Sequence, residues 1–416
     1  MKRKMTLSCG SILMLLLTVS AVQAAQGDHE ALQTSSTILF SEIFNSALEN
    51  APEILERDVR QQQVSSYDAI ADNWFNGRPQ LSLSYYDDRT FDDRGYREIE
   101  YAIQLQLKRP SEWGNGRLLS DAYSEQFSTW ENSLRHYIAG RVRNVLANIS
   151  EAEAALALER EATQNAEDLV TITRQLLDSG ELARLDLLQA ENLLLQQRRT
   201  ELETEALLVD AEREYEVLTG MQTRPDYLYT ETLSAQEDIS VMHPQLLYLA
   251  SDIELAEARY QSALASAKGS PVISLGSRRQ RSDGLMPYED SIALSLSIPF
   301  GARNVVNSQA SSVQRDKTDA EVLYQNTWRN LNQALHEVEH ELFITEESII
   351  LAEQQLELSE QRWQMSRTAF TQGEITLTQI ILALQEVLAA RKESELLVLK
   401  RERLITEFNQ TIGVMP

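Results

Sequence analysis

The sequence predicts a mainly α-helical chain with a membrane β-barrel portion, built by internal duplication from long antiparallel coiled-coil helices and four β-strands. Three observations predict it. Only 15 Gly and 9 Pro are spread over 416 residues, too few for a loop-rich or all-β chain. Short segments in each half of the chain alternate strictly between apolar and polar residues. And the chain repeats itself at an offset of about 192 residues, as two copies of one supersecondary unit would.

The first element is a secretory signal, expected over 1–24. Lys2, Arg3 and Lys4 form its basic end, 7–19 its apolar run, and "VQA" ending at Ala24 a small-residue cleavage site. The run is too short to span a bilayer as a helix, and nothing later reaches 18 consecutive apolar residues. Cys9, the only cysteine, lies before most of the apolar run. The mature chain is therefore expected to hold neither disulfide nor thiolate metal site. The formal net charge of −25 becomes more negative once the basic end is removed, which excludes nucleic acid as a partner.

The repeat organises the rest of the chain. "SGELARLDLLQAENLLLQQRRTELETEALLVDAEREYEVLTG" at 179–220 matches "QGEITLTQIILALQEVLAARKESELLVLKRERLITEFNQTIG" at 372–413. Upstream, "APEIL" (51–55) pairs with "HPQLL" (243–247), and "PQLSLSYY" (79–86) with "PVISLGSR" (271–278). The first repeat is thus 25–220 and the second 243–416, joined by a linker, 221–242, of no strong periodicity that is expected to wrap the helices at mid-height.

Each repeat opens with a helix (about 38–75, then 243–268) and continues into two strands. In the first repeat these are about 79–87 and 98–108, in the second about 271–279 and 290–299. A very long helix follows (about 116–178, then 303–371), then a turn, then a second long helix (182–219, then 375–412). Gly140 is the only interior glycine of these long helices, and apolar residues such as Leu187, Leu188, Leu194, Leu195, Leu202, Leu208 and Val209 recur at spacings of three and four. A helix of roughly 60 residues is about 90 Å long. No compact domain holds that, so such helices pack side by side as a coiled-coil-like tube.

The strands are of another kind. In "SIALSLSIP" (291–299), Ile292, Leu294, Leu296 and Ile298 alternate with Ser291, Ala293, Ser295 and Ser297. In "EYAIQLQLK" (100–108), Tyr101, Ile103, Leu105 and Leu107 alternate with Glu100, Ala102, Gln104 and Gln106. One apolar face over eight to ten residues suits a tilted strand in a bilayer, although a half-buried soluble sheet alternates in the same way. The loops "DDRTFDDRGYR" and "RRQRSDGLMPYED" are charged, as outward loops would be, and Trp74 and Trp113 lie near strand ends, where aromatic residues favour a membrane interface. Four strands cannot close a barrel, and an open edge in lipid leaves backbone groups unpaired. Three copies of four strands would close a twelve-stranded barrel.

These stretches carry a resemblance to the TolC family of outer-membrane efflux proteins. The carriers are "FSEIFNSALENAPEI" (40–54), "HPQLLYLASDIELAEARYQSALASAKGSPVISLG" (243–276), "LSLSIPFGARN" (294–304), and the paired "GELARLDLLQAENLLL" and "GEITLTQIILALQEVL". The resemblance implies a homotrimeric channel-tunnel of a Gram-negative bacterium, with its barrel in outer-membrane lipid and its helical tube in the periplasm. It would receive substrate from an inner-membrane pump through a periplasmic adaptor (membrane fusion protein). It places adaptor docking at two helix-turn tips, Ser179, Gly180, Glu181, Leu182 and Gln372, Gly373, Glu374, Ile375, where glycine frees the chain to take φ > 0.

In look the sequence is most similar to the subunits paired with heavy-metal pumps of the resistance-nodulation-division class. Multidrug efflux and type I secretion share the fold, and a soluble periplasmic coiled-coil adaptor or scaffold is the rival from another class. Family members with a tight gate carry aspartates six and nine residues after the second tip glycine; here those residues are Gln379 and Leu382, against Asp186 and Gln189 in the first repeat. Asp186 and Glu191, bridged by Arg184, are then the candidate acidic ring, unless Asp186 simply stabilises a helix start.

One motif points elsewhere. "HEVEH" (336–340) matches H-E-x-x-H, two zinc-binding histidines one turn apart with a glutamate between. Such a site wants apolar neighbours and a third ligand. His336 and His340 instead sit among Glu337, Glu339 and Glu341 in mid-helix. The reading is no enzyme, no cofactor and no resident metal.

Overall fold

The computed structural model describes residues 31–301 and 303–416. The expected signal 1–24 with Cys9, and Ala302 of the "IPFGARN" stretch, lie outside the described residues. The order of elements is β1 (Gln33–Ser35), α1 (Phe40–Asn50), α2 (Ile54–Asp72), β2 (Gln80–Asp87), β3 (Arg97–Gln106), α3 (Pro110–Asp178), α4 (Arg184–Thr219), β4 (Thr223–Pro225), α5 (Pro244–Ser266), β5 (Val272–Arg281), β6 (Glu289–Ser297), α6 (Arg303–Thr371) and α7 (Leu377–Thr411). The order helix, two strands, 69-residue helix, helix occurs twice.

Two helical expectations need correcting. The single helix read over 38–75 is two, because Pro52 lacks the N–H that would continue α1. Asn50 ends α1 by donating its side-chain amide to the carbonyls of Val217 (2.9 Å) and Leu218 (3.2 Å). The first long helix starts at Pro110 rather than near 116. Pro110 takes the first helical position, where a missing N–H costs nothing, and the Glu112 carboxylate accepts the Arg109 N–H at 2.6 Å. From that start the helix runs on through Gly114 and Gly116.

The chain divides into two compact units. One comprises the described residues up to Asn50, Arg141–Glu231 and Glu341–Thr406. In it α3 and α4 run antiparallel, as the ion pairs Arg174–Glu191 (2.9 Å) and Arg198–Glu167 (2.7 Å) register. Arg391 ties α7 to Glu161 of α3 and to Glu360 of α6 (2.5 Å). These exposed pairs set register more than stability. The linker is partly structured here, since β4 pairs in parallel with β1. Three residues a side hold because Arg224, the middle residue of β4, is buried against Glu212 at 2.7 Å, and the other oxygen of Glu212 accepts the Leu32 N–H at 3.0 Å. Tyr215, fully buried beside them, has its hydroxyl pushed up to about 12 by burial.

The other unit comprises Ala51–Gly140, Thr232–His340 and Glu407–Pro416. Its sheet is antiparallel in the order β2-β3-β5-β6, so the inner pairing β3·β5 joins a hairpin from each half of the chain. Leu119 and Tyr123 pack on Leu255 and Ala258, while Leu246, Leu335, Phe408 and Ile412 form a second cluster. The second half of the linker lies along the end of α7, where Asn409 donates to the Thr232 carbonyl (3.0 Å) and accepts the Ser234 N–H (3.0 Å).

Candidate functional site

Register sorts the sheet into two faces. Leu81, Ile103, Leu275 and Leu294 line up across all four strands, and Leu83, Tyr101 and Ile292 fall in the next row of that face. With Leu296 these side chains are 52–83% exposed. None of the described residues covers them. The opposite face carries Ser82, Ala102, Gly276 and Ala293 in one row and Ser84, Glu100, Arg278 and Ser291 in another. There Arg278 holds Glu98 at 3.0 Å and also Glu100. Gly276 is required, since a Cβ would lie 2.8 Å from the Ala102 side chain and from the Tyr101 carbonyl. A polar face that is paired and an apolar face that is bare is the reverse of a soluble half-buried sheet.

β2 and β6 are the edges, and among the described residues they pair with nothing further. Trp74 and Trp113 meet edge to face at the foot of the sheet, centroids 5.1 Å apart at 88°, with Trp74 70% exposed.

The two predicted tips share one hydrogen-bond scheme. Glu181 N–H reaches back to the Leu176 carbonyl (2.9 Å) and Glu374 N–H to that of Ala369 (2.9 Å), each over a glycine at positive φ, +85° for Gly180 and +74° for Gly373. This is the six-to-one closure that ends a helix on a left-handed residue. Ser179, Glu181, Gln372 and Glu374 are exposed, whereas Leu182 and Ile375 turn inward onto a single cluster that includes Leu169, Ala190, Leu193, Phe370, Leu377, Ile380 and Leu384. The structure thus brings the eight tip residues of both turns around one core.

Two of the gate candidates, Asp186 and Gln379, are engaged in helix starts. Asp186 accepts the Ala183 N–H at 3.0 Å. Gln379 accepts the Thr376 N–H at 2.9 Å, and Thr376 Oγ1 receives the Gln379 N–H at 3.4 Å. That reciprocal pair is a capping box, which gives glutamine at 379 a structural reason. Glu191 pairs with Arg174, and among the described residues no ion pair joins Arg184 to Asp186 or Glu191. Converting Thr376 and Gln379 together to Ala is expected to cost about 1–2 kcal/mol. Amide exchange in the first turn of α7 reads that loss; unchanged exchange would mean that the cap contributes nothing.

His336 and His340 are exposed on α6, rings stacked with centroids 6.3 Å apart. Among the described residues no group of three or more His, Cys, Asp or Glu side chains converges as metal ligands would.

Two helix stripes stay open to solvent, which the three-and-four spacing of their apolar residues did not reveal. Leu188, Leu195 and Leu202 on α4, and Leu351, Leu358 and Met365 on α6, recur every seventh residue and are 53–73% exposed. The heptad spacing is the signal that could have found them.

No family model matches the chain, and no curated protein matches it. Solved structures do. CusC, whose structures follow folding and transmembrane channel formation, is 16% identical over 90% of this chain and 92% of its own, with a TM-score of 0.69. The CmeC outer membrane channel of Campylobacter jejuni is 15% identical over 91% and 89%, at 0.68. The outer membrane protein VceC of Vibrio cholerae is 13% identical over 90% and 96%, at 0.72. The likeness is one of fold, and along nine tenths of its length the chain has the TolC-like fold of these outer-membrane proteins.

Proposed function

We propose that this chain is the outer-membrane channel of a tripartite efflux system, a passive duct that carries out no catalysis. The observation that carries the reading is the bare apolar face of the sheet between two unpaired edges. Lipid satisfies the face, and further strands must satisfy the edges, because an unpaired backbone group in a bilayer costs several kcal/mol. Three copies joined β6 to β2 close a twelve-stranded barrel whose polar rows line the lumen. The heptad stripes support the same assembly, since each is a coiled-coil seam left open among the described residues.

In this reading the helices form a tube in the periplasm. The tips at Ser179–Leu182 and Gln372–Ile375 dock a periplasmic adaptor that links the duct to an inner-membrane pump of the resistance-nodulation-division type. Heavy-metal cations are the proposed cargo, with multidrug or protein export as the alternatives on the same fold. A soluble periplasmic scaffold would leave the apolar face unexplained.

Fractionation tests the duct. The protein is expected in the outer membrane, running as a trimer that heat converts to monomer. A monomer in the soluble periplasmic fraction would eliminate it. Deletion of the gene, followed by growth on metals and drugs in parallel, then separates the cargoes.

A further inference from the structure

Two histidines that no part of the duct uses meet where three helices join. His136 of α3 and His243, the residue before α5, are 7% and 1% exposed, with rings edge to face and centroids 5.0 Å apart. Their hydrogen bonds fix the proton on each ring. His136 Nε2 donates to the Gln410 carbonyl of α7 at 2.9 Å, while the Gln410 side-chain amide donates to the His136 carbonyl at 3.0 Å and lies 3.3 Å from His136 Nδ1. His136 Nδ1 is therefore an acceptor. His243 Nδ1 accepts the Gln245 N–H at 3.2 Å and so caps the start of α5. It is an acceptor too.

Close packing hems the pair in on one side. A Cβ on Gly413, just past α7, would come 2.7 Å from the His243 ring, and one on Gly140 would come 2.8 Å from the Gln410 side chain. A cleft of about 560 Å³ opens beside the pair. Glu56 and Arg60 face it from α2, Tyr137 from α3 and Tyr248 from α5, while α6 contributes Leu331 and α7 only Gln410 and Thr411. Glu56 is held by Arg60 at 2.9 Å, so the carboxylate lining this cleft is already neutralised.

We propose that His136 and His243 form an acid-sensitive latch that fastens the end of α7 to the start of α5, closed while both rings are neutral and released when they take protons. A proton on either Nδ1 turns an acceptor towards an N–H donor. On His243 it also places a cation at a helix N-terminus, where the backbone dipole repels it. Two protons would set two cations side by side in a buried site.

Burial pushes His243 below the usual imidazole range, so the neutral ring prevails at neutral pH. The stability it lends is full above the ordinary histidine value, about 6.5, and is lost as pH falls through the lower folded value. The latch does not depend on the duct reading; it would operate equally in a soluble scaffold.

The test is amide exchange on the full chain, in detergent if it is membrane-bound, at pH 7 and pH 5 after correction for the chemical rate. Amides at Gln245 and Leu247 and at Ile412–Val414 are expected to exchange several-fold faster at pH 5, because protons bind the opened rings more readily than the closed ones. The first turn of α4 serves as the internal control and should not accelerate. In His136→Gln/His243→Asn the acid response at the latch should disappear, since asparagine keeps the cap without titrating. If that variant fails to fold, His243→Asn alone should lower the response. An equal response in wild type and His243→Asn, or no acid response in the wild type, would overturn the latch.

Discussion

Arginine in place of Leu294 or Leu296 is expected to abolish assembly into the outer membrane, while Ser295→Arg assembles close to normally. All three positions lie on β6 and are exposed in the single chain, so exposure alone forecasts no difference. Register does. Leu294 and Leu296 pair with Leu275 and Ile273 on the apolar face, whereas Ser295 pairs with Ser274 on the polar one. At the bilayer midplane an outward arginine costs about 2–4 kcal/mol, and one facing the lumen meets water instead. Heat-modifiability on a gel, together with membrane content, reads the outcome. Equal assembly of all three variants would reject the assigned face, and with it the barrel.

Valine at Gly373, and likewise at Gly180, is expected to leave trimers in the outer membrane but to remove efflux. Both glycines hold φ in the left-handed region, and a Cβ at either would meet nothing within 4 Å. The strain is therefore confined to the backbone, of order 1–2 kcal/mol for an L residue and more when β-branched. That is enough to open a turn and too little to unfold helices buried on Phe370, Leu377 and Ile380. Glu374→Cys gives a clean cross-linking handle, because the only other cysteine is Cys9 of the expected signal. Asparagine separates two roles for the glycine, as it tolerates positive φ. If Gly373→Asn restores both cross-linking and efflux, the turn shape matters. If it restores neither, the adaptor sits on the glycine itself. Full efflux from the double variant Gly180→Val/Gly373→Val would leave both as turn residues only.

The helices were legible because a three-to-four periodicity without proline has few other solutions. Their ends were less so. Pro52 broke a helix the pattern ran through, and Pro110 with Glu112 began one about two turns before the start the pattern gave. β1 and β4 left no trace, since three residues cannot show alternation and their pairing partner is nearly half the chain away. At the tips the sequence marked the turning residues, but Gln379 stood out there only as a missing gate aspartate. The pattern Thr376-x-x-Gln379 was in view, and its local meaning as a cap is the one the hydrogen bonds express. The faces of the strands could be assigned from alternation, whereas their lack of any cover is a property of the folded chain. So is the meeting of His136 with His243, which lie more than 100 residues apart.

The open edges of β2 and β6 bear on how the protein is made as well as on what it does. In the proposed duct, a newly exported chain would carry a sheet with two sticky margins and an oily side through water. With one bare apolar face and two unpaired edges, such a sheet templates the addition of any passing strand. Each long helix and the one that follows it can form at once, since they pair as neighbours in sequence. If the proposed trimeric barrel is right, the hairpins cannot safely do so before a membrane and two sibling chains are at hand. Biogenesis should then run in two stages, with a soluble helical precursor whose hairpins are shielded by an escort until insertion. Strains lacking general periplasmic holdases would lose this protein to aggregation first at its strands.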